Sequence, residues 1–328
     1  MAEILVLNDK EVEQLVSFDE NMRMVEQAFA DYDAGKSHVF PVIREEIKKH
    51  QGLFGIKSGY LETQDVLGFK AGGFWINNKD RGLTTNQSAM LLFNPSTGQP
   101  CALVAANFVT KIRTAALGAI ACKYLARRDS TVLGLIGAGA QGRNQLEATL
   151  KILPDIRRVF VYDQFSAAAE ALAKSELNGG IEFIVAKSAE EAVRSADTVI
   201  TATPSYNAIV KAEWIKPGTH INAVGTDTRG KQELYPDVFV RADKIVVDNT
   251  EQCIYLGECQ HAYDAGLITK DSIYAEIGQI IRGIKKGRET VAEITVFDTT
   301  GVAIQDLATA GYAYQEAVSR GVGVKVTL

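Results

Sequence analysis

The sequence has little cysteine and histidine, the residues on which disulfide-bonded and zinc-binding domains depend. Only 4 of its 328 residues are cysteine and only 4 are histidine. Cys101, Cys122, Cys253 and Cys259 are irregularly spaced, which favours reduced, partly buried thiols of a cytoplasmic protein. His261 lies close to the last two cysteines, but no second ligand pair with zinc-type spacing accompanies them, so we expect no metal site.

The sequence also lacks a large excess of positive or negative charge, and it lacks long apolar runs. The 35 Lys and Arg residues against 40 Asp and Glu give a net charge of −5, which argues against a surface for nucleic acid or anionic membranes. No run approaches the ~18 apolar residues that a membrane span needs. The N-terminal stretch is charged from Glu3 and lacks the apolar core of a signal peptide. We therefore expect a cytoplasmic protein whose partner is a small molecule.

The length and the 46% content of hydrophobic residues suit two domains. The first part reads as mixed α+β, with a helix that begins near Ser17 or Asp19 and stops at Gly35. Strand-like runs follow at 52–57, 66–76 and 88–94. Short turn sequences separate these runs, which favours antiparallel pairing.

The pattern changes after Thr110. An Ala-rich helix is predicted over 111–127, and strands then alternate with helices. The predicted strands are 131–136, 158–162, 181–185, 198–202, 219–224 and 244–248, and the predicted helices are 141–152, 165–175 and 188–194. This alternation is typical of a parallel sheet covered on both faces. The helical run that begins near Gly301 is too apolar to stand alone in water, so we expect it to pack back on the first domain.

A glycine-rich turn, Gly-Ala-Gly-Ala-Gln-Gly at 137–142, follows the apolar strand 132–136 and opens a helix. In this context Gly137 allows the tight turn, Gly139 lets the backbone approach a pyrophosphate, and Gly142 permits close helix–strand packing. The helix N-terminus adds free N–H groups and positive potential. The turn therefore predicts a dinucleotide site, against the alternative of a purely structural glycine turn.

The type of dinucleotide is indicated by Asp163, which ends the second predicted strand of the sheet. A carboxylate at this position accepts hydrogen bonds from the ribose 2′-OH and repels a 2′-phosphate, so NAD(H) is favoured over NADP(H). The alternative is a solvated loop aspartate. Thr203 follows the strand 198–202, and strand ends of this kind face the cofactor crevice.

Proton transfer is assigned to Asp227. This residue follows the strand 219–224, so it should emerge at the carboxyl edge of the sheet, near the nicotinamide. A carboxyl group there would protonate an imine nitrogen or accept a proton from an amine. The alternative is a helix cap or a loop acid.

Four cations in the first part of the chain complete the candidate site: Arg44, Lys57, Lys70 and Arg113. Arg113 falls in the first turn of the predicted helix 111–127, where the helix dipole disfavours a cation. We expect a substrate carboxylate or a cofactor phosphate to compensate its charge. Each of these cations, taken alone, has the alternative interpretation of a solvated surface residue.

Six motifs, taken together, resemble the ornithine cyclodeaminase/mu-crystallin family in order and spacing. They are Pro41-Val42-Ile43-Arg44, Gly68-Phe69-Lys70, Lys111-Ile112-Arg113-Thr114-Ala115-Ala116, the glycine turn at 137–142, Val224-Gly225-Thr226-Asp227 and Phe297-Asp298-Thr299-Thr300-Gly301. The resemblance implies an α/β protein with a Rossmann-type doubly wound parallel-sheet domain over 116–302. It also implies a discontinuous α+β domain over 1–115 and 303–328, which binds substrate and forms a homodimer.

The resemblance also implies roles for individual residues. Arg44, Lys70 and Arg113 match the residues that hold the substrate α-carboxylate, with Lys70 also counted as catalytic, and Asp227 matches the proton donor or acceptor. Lys231 lies beside the substrate. The cofactor contacts are Thr85, Arg113, Gly137, Gly139, Ala140, Gln141, Gly142, Asp163, Thr203, Val224, Gly225 and Thr299.

One departure from the family pattern concerns the substrate side chain. Cyclodeaminases carry an acidic residue thirteen positions before the lysine that Lys70 matches, and this chain has Lys57 there. A cation repels the distal ammonium of ornithine or lysine and pairs with a second carboxylate. This favours NADH-dependent reduction of a dicarboxylic imino acid such as iminosuccinate to aspartate, unless the alignment slips and Lys57 faces solvent.

Three alternatives to that function stay open at this point. The first is an alanine dehydrogenase or another amino acid dehydrogenase. The second is an ornithine-type cyclodeaminase, which is a lyase. The third is a mu-crystallin-like protein that binds a ligand without catalysis.

Overall fold

The structure, a computed structural model, describes residues 3–175 and 180–327. Two compact units divide the chain: Met1–Thr114 with Val302–Leu328, and Ala115–Gly301. None of the helices in the described ranges combines the length and the apolarity of a membrane span. All four cysteines are free thiols, as predicted, and three of them are buried.

The strands and helices have the following bounds. The strands are β1 (Glu3–Leu7), β2 (Ser37–Val39), β3 (Ile43–Ile47), β4 (Gly52–Leu61), β5 (Val66–Trp75), β6 (Asn86–Phe93), β7 (Pro100–Ala105), β8 (Val132–Ile136), β9 (Arg158–Tyr162), β10 (Glu182–Val185), β11 (Thr198–Thr201), β12 (His220–Ala223), β13 (Lys244–Val247), β14 (Ala275–Glu276), β15 (Thr295–Asp298) and β16 (Val324–Thr327). The helices are α1 (Asp9–Leu15), α2 (Phe18–Asp33), α3 (Asn107–Leu125), α4 (Ala140–Ile152), α5 (Ser166–Ala173), α6 (Ala189–Ser195), α7 (Asp237–Arg241), α8 (Thr250–Leu256), α9 (Gln260–Asp264), α10 (Ile277–Ile281) and α11 (Ala303–Arg320).

The first unit contains a sheet of order β16-β1-β7-β6-β5-β4-β2, with β3 also paired to β4. The pairs from β4 to β7 are antiparallel, which confirms the pairing predicted from the short turns. Helix α2 begins after Ser17, whose hydroxyl accepts a hydrogen bond from the backbone N–H of Glu20, as the sequence predicted. Strands β1, β2, β3, β7 and β16 were not predicted from the sequence.

Helix α11 packs on α2 and on strands β4 and β5 of the same unit. Almost every residue from Ala303 to Ala313 is buried, which explains the apolar character of this segment. Gly311 lies so close to Val66 of β5 that an added Cβ would fall 2.6 Å from a Val66 methyl group. This close contact lets the helix approach the sheet, where Asp306 accepts a hydrogen bond from Lys70 of β5.

The second unit contains a parallel sheet of order β10-β9-β8-β11-β12-β15-β13-β14. Strand β9 lies on one side of β8 and β11 lies on the other. The direction in which successive strands are added to the sheet therefore reverses at β8, as it does in a doubly wound Rossmann-type fold. The predicted α/β class is therefore confirmed. The central strands β8, β11 and β12 are buried at every residue, although β11 and β12 also carry polar side chains such as Thr198 and Asn222. Strands β14 and β15 were not predicted from the sequence, although β15 pairs with both β12 and β13.

Candidate active site

The glycine turn at 137–142 has the backbone geometry that a dinucleotide requires. Gly137 follows β8 with φ +99°, a conformation that L residues rarely adopt. A Cβ at Gly142 would lie 1.8 Å from the carbonyl oxygen of Gly137, so helix α4 packs tightly against the turn. Among the described residues, nothing lies within 4 Å of a Cβ placed at Gly139. These residues therefore fit a pyrophosphate at the N-terminus of α4.

Asp163 stands at the carboxyl end of β9, the neighbouring strand, and holds the turn in place. Its carboxylate accepts hydrogen bonds from the backbone N–H groups of Ala138 at 2.8 Å and Phe165 at 2.9 Å. A carboxylate has about four lone-pair sites, so acceptor capacity is left for the two hydroxyls of a ribose. Gln141 begins α4 beside this turn, and among the described residues its buried Oε1 has no hydrogen-bond donor.

The carboxyl ends of β11 and β12 are joined by a residue that the sequence analysis missed, Glu233. This buried carboxylate accepts hydrogen bonds from Thr201 Oγ1 at 2.8 Å, from the N–H of Thr203 at 2.6 Å and from the N–H of Gly225 at 3.0 Å. Thr203 and Gly225 are two of the predicted cofactor contacts. Burial raises the pKa of Glu233, while the hydrogen bonds from Thr201 and Thr203 act in the opposite direction.

Asp227 lies just beyond β12, where the sequence placed it. Its carboxylate is 38% exposed and accepts hydrogen bonds from Lys231 Nζ at 2.8 Å and from Thr228 Oγ1 at 3.1 Å. The structure thus brings two of the predicted residues, Asp227 and Lys231, into contact. A half-exposed carboxylate paired with an ammonium group is able to exchange a proton with a ligand and return to its charged form.

The loop that carries Asp227 is fixed by buried polar side chains. Gln260 Oε1 accepts a hydrogen bond from the N–H of Gly230 at 2.7 Å. The buried carboxylate of Glu258 accepts hydrogen bonds from the N–H groups of Glu233 and Leu234 and from the hydroxyl of Thr226. Because these contacts lie on both sides of Asp227 in the sequence, the position of its carboxylate does not depend on a flexible loop.

Two other predicted cofactor contacts, Val224 and Thr299, also lie at strand ends of the second unit. Val224 follows β12 and is half-buried. Thr299 follows β15, is only 4% exposed, and donates its hydroxyl to Asp248 at 2.7 Å. Asp248 also accepts from the N–H of Gly301 at 2.7 Å, so this carboxylate fixes the turn after β15.

In the first unit the structure brings the four predicted cations together. Lys57 on β4 and Lys70 on β5 lie directly opposite each other in the antiparallel register. Lys57 is 9% exposed, so the alternative of a solvated lysine is wrong. Arg44 on β3 and Arg113 on α3 are close enough to lower the pKa of Lys70. We call Arg44, Lys57, Lys70 and Arg113 the cation cluster.

The prediction about the surroundings of Arg113 is wrong in two respects. Helix α3 begins at Asn107, so Arg113 lies in its second turn rather than its first. The compensating anion belongs to the protein itself: Asp306 Oδ1 accepts from Arg113 Nε at 2.9 Å, and Gln305 Oε1 accepts from Arg113 Nη1 at 2.6 Å. The helix dipole therefore places no demand on a ligand, although the guanidinium still lies in the cation cluster.

Asp306 also holds Lys70, whose ammonium lies 2.7 Å from Asp306 Oδ1 and 3.2 Å from Thr110 Oγ1. The pKa of Lys70 is lowered to about 8, because burial, together with the charges of Arg113 and Arg44, lowers it by more than Asp306 raises it. The pKa of Asp306 itself lies below its ordinary value, because Arg113, Lys70 and Lys57 outweigh the effect of burial.

Thr85 is the remaining predicted contact and lies in the first unit, immediately before β6. It is half-buried, and its carbonyl accepts a hydrogen bond from the N–H of Trp75 at 2.8 Å. Its predicted role as a cofactor contact stays a prediction.

Sequence reasoning missed the carboxylates that organise the candidate residues of each unit: Asp306 in the first unit, and Glu233, Glu258 and Asp248 in the second. One signal was available for Asp306, since Gln305 and Asp306 form a polar pair inside an otherwise apolar helix. A fully buried acid in such a helix requires a partner. Glu233 and Glu258 follow no motif, and their importance is visible only from the backbone groups that they bind.

Comparison with known proteins identifies the group to which this chain belongs. Residues 2–321 match the sequence profile of the ornithine cyclodeaminase/mu-crystallin family. An archaeal alanine dehydrogenase, solved as a dimer with bound NAD, shares 42% identity with a TM-score of 0.94, and the match covers 100% of both chains. The Δ1-pyrroline-2-carboxylate reductase of Thermococcus litoralis, solved with NADH and L-proline, shares 37% identity with a TM-score of 0.94, covering 98% of this chain and 100% of that one.

A third relative differs in the substrate that its name records. The iminosuccinate reductase of Paracoccus denitrificans is 38% identical over 325 residues, which cover 99% of this chain and 100% of the relative. The matches therefore extend over nearly the whole of each chain, and they agree with the resemblance recognised from the six motifs. The protein belongs to the ornithine cyclodeaminase/mu-crystallin family.

Proposed function

We propose that the protein is an NAD(H)-dependent oxidoreductase that reduces the C=N bond of a small dicarboxylic imino acid to the L-amino acid, with iminosuccinate and aspartate as the leading pair. The observation that carries this proposal is the cation cluster, in which Lys57 and Lys70 lie side by side in a buried setting. In the second unit, the glycine turn and Asp163 fit the cofactor. The three relatives described above are named for reactions of amino or imino acids.

The cofactor assignment rests on Asp163 and the turn that it holds. Its carboxylate is in place to accept the ribose hydroxyls and would repel a 2′-phosphate, which favours NAD(H). Two of the relatives were solved with NAD or NADH bound. When bound, the dihydronicotinamide supplies the hydride that the imine carbon receives.

The protein's own residues bind the substrate and move its proton. Arg44, Lys70 and Arg113 hold the α-carboxylate and so fix the orientation of the imine carbon. Asp227 carries the proton that the nitrogen requires, and Lys231, at 2.8 Å, stabilises the carboxylate that is left after transfer. In the reverse direction the same carboxylate accepts a proton from the amine.

The proposed preference for a dicarboxylic substrate follows from the positive charge of the cation cluster. Arg113, Lys70 and Lys57 lie close enough to the buried carboxylate of Asp306 to lower its pKa, and Arg44 and Arg113 act on Lys70. A second carboxylate on the substrate would gain a favourable charge interaction with Lys57, in addition to the one that the α-carboxylate gains from Lys70 and Arg113. The distal ammonium of ornithine or lysine would meet Lys57 as a like charge, so cyclodeamination is disfavoured.

The substrate assignment is tested by NADH oxidation with purified protein. Oxaloacetate plus ammonia, pyruvate plus ammonia, and Δ1-pyrroline-2-carboxylate are compared, and ammonia release from ornithine is measured in parallel. We expect the highest kcat/KM for the imine of oxaloacetate. Turnover of pyruvate plus ammonia alone would make the protein an alanine dehydrogenase, and ammonia release from ornithine without net NADH change would make it a cyclodeaminase.

Two variants test the roles of single residues. Lys57→Met should raise KM for the dicarboxylic imine at least tenfold more than for a monocarboxylic one, while the exposed Lys49→Met serves as a control. Asp227→Ala should abolish turnover and leave NADH binding, followed by fluorescence, largely intact. Equal effects of Lys57→Met on both substrates would refute the specificity, and normal rates in Asp227→Ala would remove this residue from the reaction.

We also infer that the protein forms a homodimer through the outer part of the sheet in the first unit. Apolar side chains are exposed on and beside β3 and β5, including Ile43 (51% exposed) and Phe74 (39% exposed). One relative was solved as a dimer. Sedimentation equilibrium should give twice the chain mass of 35.6 kDa, and a monomer at micromolar concentration would contradict the inference.

A further inference from the structure

The inference concerns Asp306 of α11, which lies within the cation cluster. We propose that Asp306 is a positioning residue of the imino-acid site, which fixes Lys70 and Arg113 through one shared oxygen and keeps Lys70 in its charged form. The inference rests on the proposed function, because it takes Lys70 as a ligand for an anionic substrate. Asp306 would touch neither the substrate nor the cofactor in this role.

The shared oxygen gives the two cations a fixed relative position. Oδ1 of Asp306 lies 2.7 Å from Lys70 Nζ and 2.9 Å from Arg113 Nε. An ammonium group has three donors, and two of those on Lys70 are directed at Asp306 and Thr110. Within the described parts of the chain, the third has no acceptor, so it is available to a substrate carboxylate.

The other oxygen of Asp306 sets the carboxylate apart from an ordinary salt-bridge partner. Oδ2 is buried and, among the described residues, has no hydrogen-bond donor; the side chain as a whole is 1% exposed. A buried carboxylate that forms hydrogen bonds through only one oxygen would be too costly to keep ionised without nearby positive charge. Lys70, Arg113 and Lys57 provide that charge and lower the pKa of Asp306.

In return, Asp306 opposes the groups that favour loss of the Lys70 proton. Burial is the main cause that lowers the pKa of Lys70 to about 8, with Arg113 and Arg44 adding to it. Lys57 of β4 faces Lys70 from the neighbouring strand, and Thr110 of α3 contributes a neutral hydroxyl. Asp306 of α11 is the group that raises the pKa of Lys70, through its charge and its hydrogen bond.

Removal of the Asp306 charge should therefore change the pH range in which the site holds an anion. Lys70 is an ammonium below its pKa, so the affinity for the substrate should fall as the pH rises through about 8 in the wild type. An opposite charge in contact shifts such a transition by about 1–3 pH units. In Asp306→Asn, which preserves shape, the fall in kcat/KM should begin at least one pH unit lower.

A matched control separates this shift of the pH profile from a structural effect that lowers kcat/KM equally at every pH. Thr110→Val removes the second hydrogen bond of Lys70 without changing any charge, so it should lower kcat/KM without moving the alkaline limb of the pH profile. Asp306→Glu retains the charge and should keep the limb near its wild-type position. An Asp306→Asn profile lowered equally at every pH would show that Asp306 has only a structural role and would overturn the proposal.

A measurement on the wild type keeps the proposal testable if the variants fold poorly or no imine is turned over. Lysine Cε is labelled with 13C, and the Lys70 signal is identified by its loss in Lys70→Arg. That signal should titrate near pH 8, and in Asp306→Asn at lower pH. A Lys70 signal that titrates at the ordinary lysine value would refute the electrostatic argument. Titration near pH 8 without imine turnover would refute the proposed function alone.

Discussion

Replacement of Glu233 by glutamine should weaken cofactor binding although the side chain keeps its shape. Both oxygens of this buried carboxylate act as acceptors: Oε1 for the N–H of Thr203, and Oε2 for the N–H of Gly225 and the hydroxyl of Thr201. A glutamine side chain offers one acceptor and one donor. Whichever way the amide is placed, one of the two backbone N–H groups faces an NH2 group.

The expected magnitude follows from these contacts. A buried N–H group without an acceptor costs about 1–3 kcal/mol, and hydrogen bonds to a charged group are worth about 1.5–3 kcal/mol each. Burial of the charge acts in the other direction, because it raises the pKa of Glu233 and makes its ionised form less favourable. We expect a net local loss of about 1–3 kcal/mol, which corresponds to a fall in NADH affinity of roughly 5- to 150-fold.

The assay is fluorescence titration with NADH, combined with urea unfolding. Glu182→Gln on the exposed end of β10 is the control, because it removes the same charge from the same unit without a buried partner. Glu233→Gln should bind NADH at least about fivefold more weakly than this control. Equal NADH affinity and equal stability in the two variants would refute the view that Glu233 holds the ends of β11 and β12.

Two further predictions concern buried groups of the second unit. Burial raises the pKa of Asp298 from 3.8 to about 7, so the contribution of this group to stability is complete below pH 4 and is lost as the pH rises to 7. At pH 8 the free energy of unfolding, measured with urea, should therefore be higher for Asp298→Asn than for the wild type, by up to about 4 kcal/mol. The difference should vanish near pH 4. A constant difference between the two pH values would contradict this. Gly142→Ala should destabilise the protein, because its Cβ would meet the carbonyl oxygen of Gly137 at 1.8 Å. Gly139→Ala should fold normally and yet bind NADH more weakly. Equal melting temperatures for the two variants would refute the packing argument.

Much of the architecture was predictable because its causes are local. The N-cap of α2 at Ser17 and the positive φ of Gly137 depend on residues adjacent in the sequence. The pairing of Lys57 with Lys70 follows from a hairpin whose short turn fixes the register. Strand β15 was missed because its apolar run is only a few residues long, and its identity depends on the two strands that flank it.

The motifs of the candidate site could be predicted from the sequence, but the carboxylates that hold its cations and backbone groups could not. A glycine turn after an apolar strand and an acid after a strand are recognised by their position, so the dinucleotide turn and the place of Asp227 beyond β12 could be predicted. Nothing local indicates which anion balances a buried cation. Arg113 lies in the second turn of α3 and meets Asp306, a correction that required the packing of α11 on the sheet.

The sequence by itself determined the parallel sheet of the second unit, the dinucleotide turn and the identity of the cations. Hydrophobic periodicity, backbone conformation and residue type depend on residues that are adjacent in the sequence. Only the tertiary structure decided that Asp306 holds Lys70, across 236 positions of the chain, and that Glu233 joins two strand ends. The physical reason is that a buried charge or N–H group must find a partner wherever the fold supplies one, and that requirement carries no fixed spacing.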